Sequence, residues 1–162
     1  MAKKEKDIKT NAVRMVETAG IEYQLKAYDT GGEFHDGLSI AKATGTDPDM
    51  VFKTLVLVGH SGEHYVCVIP VAAELDLKKA ARHFDEKSLE MIHVKEINAL
   101  TGYIRGGCSP VGMKKLFPTA IDETALLFDN IFVSGGKIGL QMELDPEKLA
   151  SLVGGDFADL VK

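Results

Sequence analysis

The sequence predicts one α+β domain over residues 1–162, with a mixed, largely antiparallel central sheet flanked by helices. Three observations lead there. The chain has 162 residues, the length of one ordinary domain; at that size roughly 70% of the unfolded surface can be buried. The stretch "VFKTLVLVGHSGEHYVCVIPV" sets two apolar, β-branched runs around the turn "HSGEH", which is a hairpin. Both runs are nearly continuous in apolar residues, so they belong near the middle of a sheet. The remaining strands and helices are interspersed without the strict alternation of a doubly wound nucleotide fold.

Taken in order, "TNAVRMVETAG" reads as a helix capped by Thr10 and stopped by Gly20, with Ala12, Val13, Val16 and Ala19 on one face. "IEYQLKAY" alternates as a strand. "HDGLSIAKATG" predicts a short helix between Asp36 as cap and Gly45 as terminator. After the hairpin, "ELDLKKAARHF" is an amphipathic helix and "VKEINALTG" another, ended by Gly102. "TAID" and "IFVSGG" read as strands, with "ETALLF" as a turn of helix between them, and "IGLQMEL" alternates as a further strand. "DPEKLASLVGG" has Asp145 as cap, Pro146 at the first helical position and Gly154 at its end. "DFADLVK" is expected to close the chain as a short helix.

Composition narrows the function classes. With 45% hydrophobic and 27% charged residues and no internal repeat, the chain is globular. The start "MAKKEKDIKTNAVRM" has no apolar run behind its charges, as a secretory signal needs. No segment reaches the ~18 apolar residues of a membrane span. A soluble, cytoplasmic protein is the expectation. A net charge of −5 argues against a protein that coats nucleic acid indiscriminately, and leaves room for local contact with one end of an RNA. Lysines cluster at Lys3, Lys4, Lys6 and Lys9, at Lys78 and Lys79, and at Lys114 and Lys115; the first two groups read as solvated faces. Two cysteines make no disulfide framework, and Cys67 in "YVCVIP" reads as a small buried hydrophobe.

The stretch "GYIRGGCSPVGMKK", Gly102 to Lys115, concentrates four glycines, one proline and one cysteine. Gly107 and Gly112 are spaced like the outer glycines of a phosphate loop. Lys114 comes one residue late, however, in the place where Ser or Thr is required, so this is no Walker motif. A plain surface turn needs fewer glycines, and the composition favours a loop whose backbone faces a ligand. Cys108 as nucleophile needs a base within reach. None of His35, His60, His64, His83 or His93 sits in a matching motif, so a space-filling role is favoured. His60 and His64 flank the hairpin turn and are expected to be exposed; no third ligand suggests a metal site.

Lys53 in "VFKTL" is the sharper candidate. A lysine in an apolar strand costs desolvation unless it faces a cleft, although it could also snorkel at the strand end. With Thr54 beside it, a functional cation that binds a phosphate or polarises a carbonyl is favoured. "SGGK", Ser134 to Lys137, repeats a glycine pair after a strand and by itself is a hairpin turn.

Four segments together, "VFKTL", "LDLKK", "TGYIRGGCSPVGMKK" and "VSGGKIGLQMEL", resemble the signatures of the YbaK/EbsC-type aminoacyl-tRNA deacylases, free-standing relatives of the editing domain of prolyl-tRNA synthetases. The chain looks most like the Cys-tRNA(Pro) deacylases. The resemblance implies a single α+β editing domain whose pocket takes the 3′-terminal adenosine with its mischarged amino acid, with no cofactor and no metal. It implies Lys53 as the essential cation, with Thr54 as its polar neighbour. Gly106 and Gly107 would present N–H groups to the substrate carbonyl. Tyr28 and Phe34 would line the pocket, and Ser134 would touch the substrate or the terminal ribose. Gln141 would face the substrate where relatives can hold an aspartate; the amide keeps hydrogen-bonding capacity and loses the charge. Cys108, aliphatic in many relatives, would be incidental.

The implied function is trans-editing: removal of cysteine from Cys-tRNA(Pro), with the substrate's own thiol attacking its ester and no protein nucleophile. The alternatives are a deacylase of Ala- or Ser-tRNA with the same pocket, a non-catalytic module that binds the acceptor end or a synthetase, and Cys108-dependent hydrolysis. The implied partners are the acceptor end of tRNA(Pro) and prolyl-tRNA synthetase, with neither DNA nor a membrane.

Overall fold

The computed structural model describes residues 9–29 and 36–162. The apolar hairpin forms where the sequence places it. Strand β2 (Phe52–Gly59) pairs antiparallel with β3 (His64–Pro70) from Phe52 opposite Pro70 to Val58 opposite His64. Around it lie β1 (Tyr23–Ala27), β4 (Leu89–Met91), β5 (Thr119–Asp122), β6 (Ile131–Ser134), β7 (Leu140–Leu144) and β8 (Asp156–Ala158). The described strands form two sheets rather than one. A five-stranded mixed sheet has the order β4-β2-β3-β5-β8, and a three-stranded antiparallel sheet the order β1-β7-β6. A single parallel bridge, Val51 to Phe132, joins them.

Four of the five described helices begin on a side-chain cap. In α1 (Asn11–Thr18) the Thr10 hydroxyl accepts the Val13 N–H, and in α2 (Gly37–Thr44) Asp36 accepts the Ser39 N–H. Asp76 caps α3 (Leu77–His83), and Asp145 caps α5 (Pro146–Val153), with Pro146 at the first helical position. The short α4 (Ile97–Thr101) stops at Gly102.

Side-chain alternation along β2 divides the core. Phe52 and Val56 face a cluster shared by both sheets, with Val13 and Val16 of α1 and Leu149 and Val153 of α5. Leu57 turns the other way, with Cys67 and Ile69 of β3, against Ala80 and Ala81 of α3. Cys67 is fully buried, as its apolar setting predicts.

Three expectations need correction. "DFADLVK" is no helix: Asp156–Ala158 runs as β8, parallel to β5, from Ala120 opposite Asp156 to Asp122 opposite Ala158. The buried Asp122 carboxylate accepts the Leu160 N–H at 2.9 Å, and Leu75 bridges to Val161. These long-range bonds hold the tail extended where its local preference is helical. The unexpected β4 extends β2 only at Leu57–Gly59. His64 is half-buried, its ring 5.7 Å from that of Phe117, whereas His60 is exposed.

Candidate active site

Because β4 pairs only with Leu57–Gly59, it leaves the beginning of β2 without a strand on that side, apart from the bridge at Val51. A cavity of about 450 Å³ opens there. It touches four consecutive residues of β2, Phe52, Lys53, Thr54 and Leu55. Neighbouring side chains on a strand point to opposite faces, so a cavity that meets all four must reach around the strand's edge. That is how Lys53 and Thr54 come to border one space. Leu38 and Ile40 of α2, together with Val71 and Val133, supply apolar wall.

The three-stranded sheet contributes through its register. Ser134 at the end of β6 stands opposite Gln141 of β7, and Gln141 is also opposite Lys26 of β1, so the three lie in a row on one face. Ser134 and Gln141 line the cavity. The Lys26 ammonium turns to the Thr44 carbonyl at 3.3 Å and the Thr46 hydroxyl at 3.2 Å, and lies 5.5 Å from the centre of the Phe132 ring. Tyr28 closes this side, with its N–H bonded to the Gly139 carbonyl at 2.8 Å. Burial raises the Tyr28 phenol above its ordinary pKa, and the Gly139 backbone acts in the opposite direction, so the hydroxyl stays protonated near neutrality.

The glycine-rich stretch forms the remaining wall with Arg105, Gly106 and Cys108. It is held from behind. The Tyr103 hydroxyl donates to the Val111 carbonyl at 2.6 Å, and Asn11 at the start of α1 donates to the Gly112 carbonyl at 2.7 Å. The Thr10 hydroxyl donates to the Gly135 carbonyl in the second glycine turn at 2.5 Å. One helix start therefore fastens both glycine segments.

The two glycines named from the sequence have different circumstances. Gly106 has φ +87°, a conformation that side chains disfavour, and borders the cavity. Gly107 packs flat against the second turn: a Cβ there would sit 2.9 Å from both the Lys137 Cα and the Ile138 nitrogen. The Gly107 N–H already donates to the Ile104 carbonyl at 2.9 Å. In this conformation, then, Gly107 supplies contact between loops while its N–H is occupied.

The polar groups facing the cavity are poorly matched within the chain. Among the described residues Lys53 forms no ion pair. Thr54 Oγ1 and Gln141 Oε1 are sealed from solvent, Gln141 being only 4% exposed, and have no hydrogen-bond partner among the described residues. Buried polar atoms are rarely left so, and ordered water or a ligand is the usual partner. The Ser134 Oγ accepts the Gly136 N–H at 3.1 Å, which leaves its proton free to donate. Burial pushes the Cys108 thiol up to about 11, with Thr101 acting the other way, and among the described residues no histidine lines the cavity. A neutral thiol without a base is not a nucleophile.

Of the residues anticipated from sequence, Tyr28, Lys53, Thr54, Gly106, Ser134 and Gln141 meet at this cavity; Gly107 lies behind its wall, and Phe34 falls outside the described residues. Arg105 was missed. Its only signal was a cation set between Ile104 and the glycine pair.

Comparison with known proteins points the same way. A family model described as an aminoacyl-tRNA editing domain matches residues 36–152. The chain is 47% identical, over 99% of its length and 98% of the relative's, to a protein of Enterococcus faecalis named "Putative Cys-tRNA(Pro)/Cys-tRNA(Cys) deacylase EbsC". A crystal structure described as a "putative trans-editing enzyme for prolyl tRNA synthetase" superposes with TM-score 0.82 at 28% identity, over 96% of this chain and 99% of that one. A hypothetical protein at 21% identity shares the fold, with TM-score 0.85 over 94% of this chain and all of the other.

Proposed function

The chain belongs to the aminoacyl-tRNA editing-domain family, and from that premise we propose that it is a trans-editing deacylase that removes cysteine from mischarged Cys-tRNA(Pro). The observation that carries this reading is the cavity itself. Among the described residues it gathers an ammonium without an ion pair, a donating serine and two unsatisfied polar atoms, and it holds no nucleophile with a base. Such a site positions and polarises; it does not attack.

Cysteine supplies the missing attack. Its thiol sits three bonds from its own ester carbonyl and titrates near ~8.5, so a useful fraction is thiolate close to neutral pH. The sulfur bonds to the carbonyl carbon, and the bond from that carbon to the ribose oxygen breaks. The thiol's proton ends on the released ribose hydroxyl, leaving a cyclic thiolactone and free tRNA. Holding the sulfur against the carbonyl makes the step intramolecular, which offsets the strain of the four-membered ring that forms. Lys53 stabilises the developing oxyanion, with the Gly106 N–H as the second donor. Tyr28 and Ser134 hold the terminal adenosine and its ribose, and Thr54 and Gln141 contact the aminoacyl group.

The curated relative's name joins Cys-tRNA(Pro) with Cys-tRNA(Cys), which fits a pocket that reads the amino acid more than the tRNA body. We infer that tRNA choice comes from association with prolyl-tRNA synthetase, in keeping with the net charge of −5 and with the description of the structural relative.

The test is deacylation of Cys-tRNA(Pro) by wild type and Lys53→Ala, with capture of the small product. Thiolactone release that depends on Lys53 is expected. Equal release from Ser-tRNA(Pro) would replace self-attack by a positioned water, and tRNA binding without cleavage would reduce the protein to a binding module.

A further inference from the structure

The "SGGK" turn ends in a cation that the reaction described above does not use. Lys137 is exposed, and no ion pair among the described residues includes it. The turn that carries it is fixed at several points. The Gly135 N–H donates to the Leu140 carbonyl at 2.8 Å, and the Leu140 N–H returns to the Lys137 carbonyl at 3.3 Å. Ser134 Oγ holds the Gly136 N–H, and the Thr10 hydroxyl holds the Gly135 carbonyl.

This turn does not stand apart from the cavity. Ser134, three residues before Lys137, lines it. The Lys137 Cα would be 2.9 Å from a Cβ on Gly107, whose neighbours Gly106 and Cys108 line it from the other loop. Two residues before Gly107, Arg105 also lines the cavity. The contact between the glycine loops thus packs the turn that carries exposed Lys137 against the loop that carries cavity-lining Arg105, in a chain whose overall charge is −5. A fixed turn that presents an ammonium, packed on a glycine loop that also carries an arginine, suits a phosphodiester.

We propose that Lys137, with Arg105 beside it, forms a phosphate subsite for the phosphodiester that joins the terminal nucleotide to the rest of the acceptor strand. The inference rests on the deacylase reading, because it takes that nucleotide to occupy the cavity. Lys137 positions the strand and takes no part in bond breaking.

Three substrates test it: cysteinyl-tRNA, 3′-O-cysteinyl adenosine, and the same nucleoside carrying a 5′-phosphate. Lys137→Ala is expected to raise KM for cysteinyl-tRNA about tenfold, the size of one charge-assisted hydrogen bond. The advantage in kcat/KM that the 5′-phosphate confers on the nucleoside should shrink by the same factor. The salt dependence of log(kcat/KM) for tRNA should flatten by about 0.7, the loss of one single-strand phosphate contact. Lys137→Arg should retain most of the phosphate advantage, and Lys137→Glu should lose more than Lys137→Ala. Equal losses on all three substrates would make Lys137 a structural part of the turn and overturn the subsite; so would no loss on any. Wild-type protein that cleaves none of the three would instead overturn the deacylase reading and the subsite with it.

Discussion

Ser134 and Gln141 face each other across the β6–β7 hairpin as a pair without direct ladder bonds, one step inside the Gly135–Leu140 pair that closes it. In such pairs the side chains stand close, about 4.5–5.5 Å apart at Cβ. The two differ in satisfaction: Ser134 has its backbone partner, and the Gln141 oxygen has none among the described residues. An unpaired buried amide costs the empty protein stability, of the order of 1–3 kcal/mol. Gln141→Leu is therefore expected to leave the melting temperature unchanged or raise it, while lowering kcat/KM for Cys-tRNA(Pro) roughly tenfold. Thermal unfolding and steady-state deacylation together check this. A variant as active as wild type would remove Gln141 from the substrate's surroundings.

Lys53 carries the oxyanion in the proposed reaction. Losing one such donor typically costs about 10²–10³ in rate. Lys53→Ala and Lys53→Met should both lose that much in kcat. Folding should be nearly unaffected, because no ion pair among the described residues depends on Lys53. Single-turnover rates at saturating enzyme separate this from weakened binding. A rise in KM with kcat intact would make Lys53 a docking cation instead.

How much of this was legible beforehand follows from the range of the forces. Helix ends were readable because a cap is a local bond: Thr10 to Val13, Asp36 to Ser39, Asp145 to Glu147 and Lys148. The hairpin was readable because turn and apolar runs adjoin. The division into two sheets was not, since it depends on Tyr23 meeting Leu144 across most of the chain. The tail failed for the same reason: β5 and Asp122 dictate its course from more than thirty residues away. In the site, Lys53 stood out as a charge in an apolar strand, whereas Gln141 entered only through the family resemblance. The work of Gly107 was hidden, because the backbone it packs against, Lys137 and Ile138, becomes its neighbour only after folding.

Cys108 tests the substrate-assisted reading from the other side. With its thiol pushed up to about 11, only about one molecule in 10⁴ is thiolate at pH 7. The sign is that of a group kept neutral, so alkylation by iodoacetamide should be slow at pH 7 and climb about tenfold per pH unit towards 11. Cys108→Ala should keep turnover within about twofold, at a stability cost of about 1–2 kcal/mol for the small void. Abolished turnover in a folded Cys108→Ala protein would point to cysteine-dependent hydrolysis.

Gly106 and Gly107 are adjacent, yet alanine should harm them for different reasons. At Gly106 the cost is conformational: φ +87° strains any side chain by about 1–2 kcal/mol. At Gly107 the cost is space. The added Cβ meets the Ile138 nitrogen and Lys137 Cα at 2.9 Å, and these are backbone atoms that cannot rotate away. The glycine loops must then separate, carrying Gly106 and Ser134 out of register with Lys53. Gly107→Ala is expected to destabilise by about 1–3 kcal/mol, the usual toll of overpacking, and to lose most activity at temperatures where it remains folded. Hydrogen exchange should show new opening at the Gly107 N–H, now bonded to the Ile104 carbonyl, and at the Gly135 N–H, now bonded to Leu140. If both amides stay protected while activity disappears, the Gly107 N–H itself serves the substrate, and the Ile104 bond must break on binding.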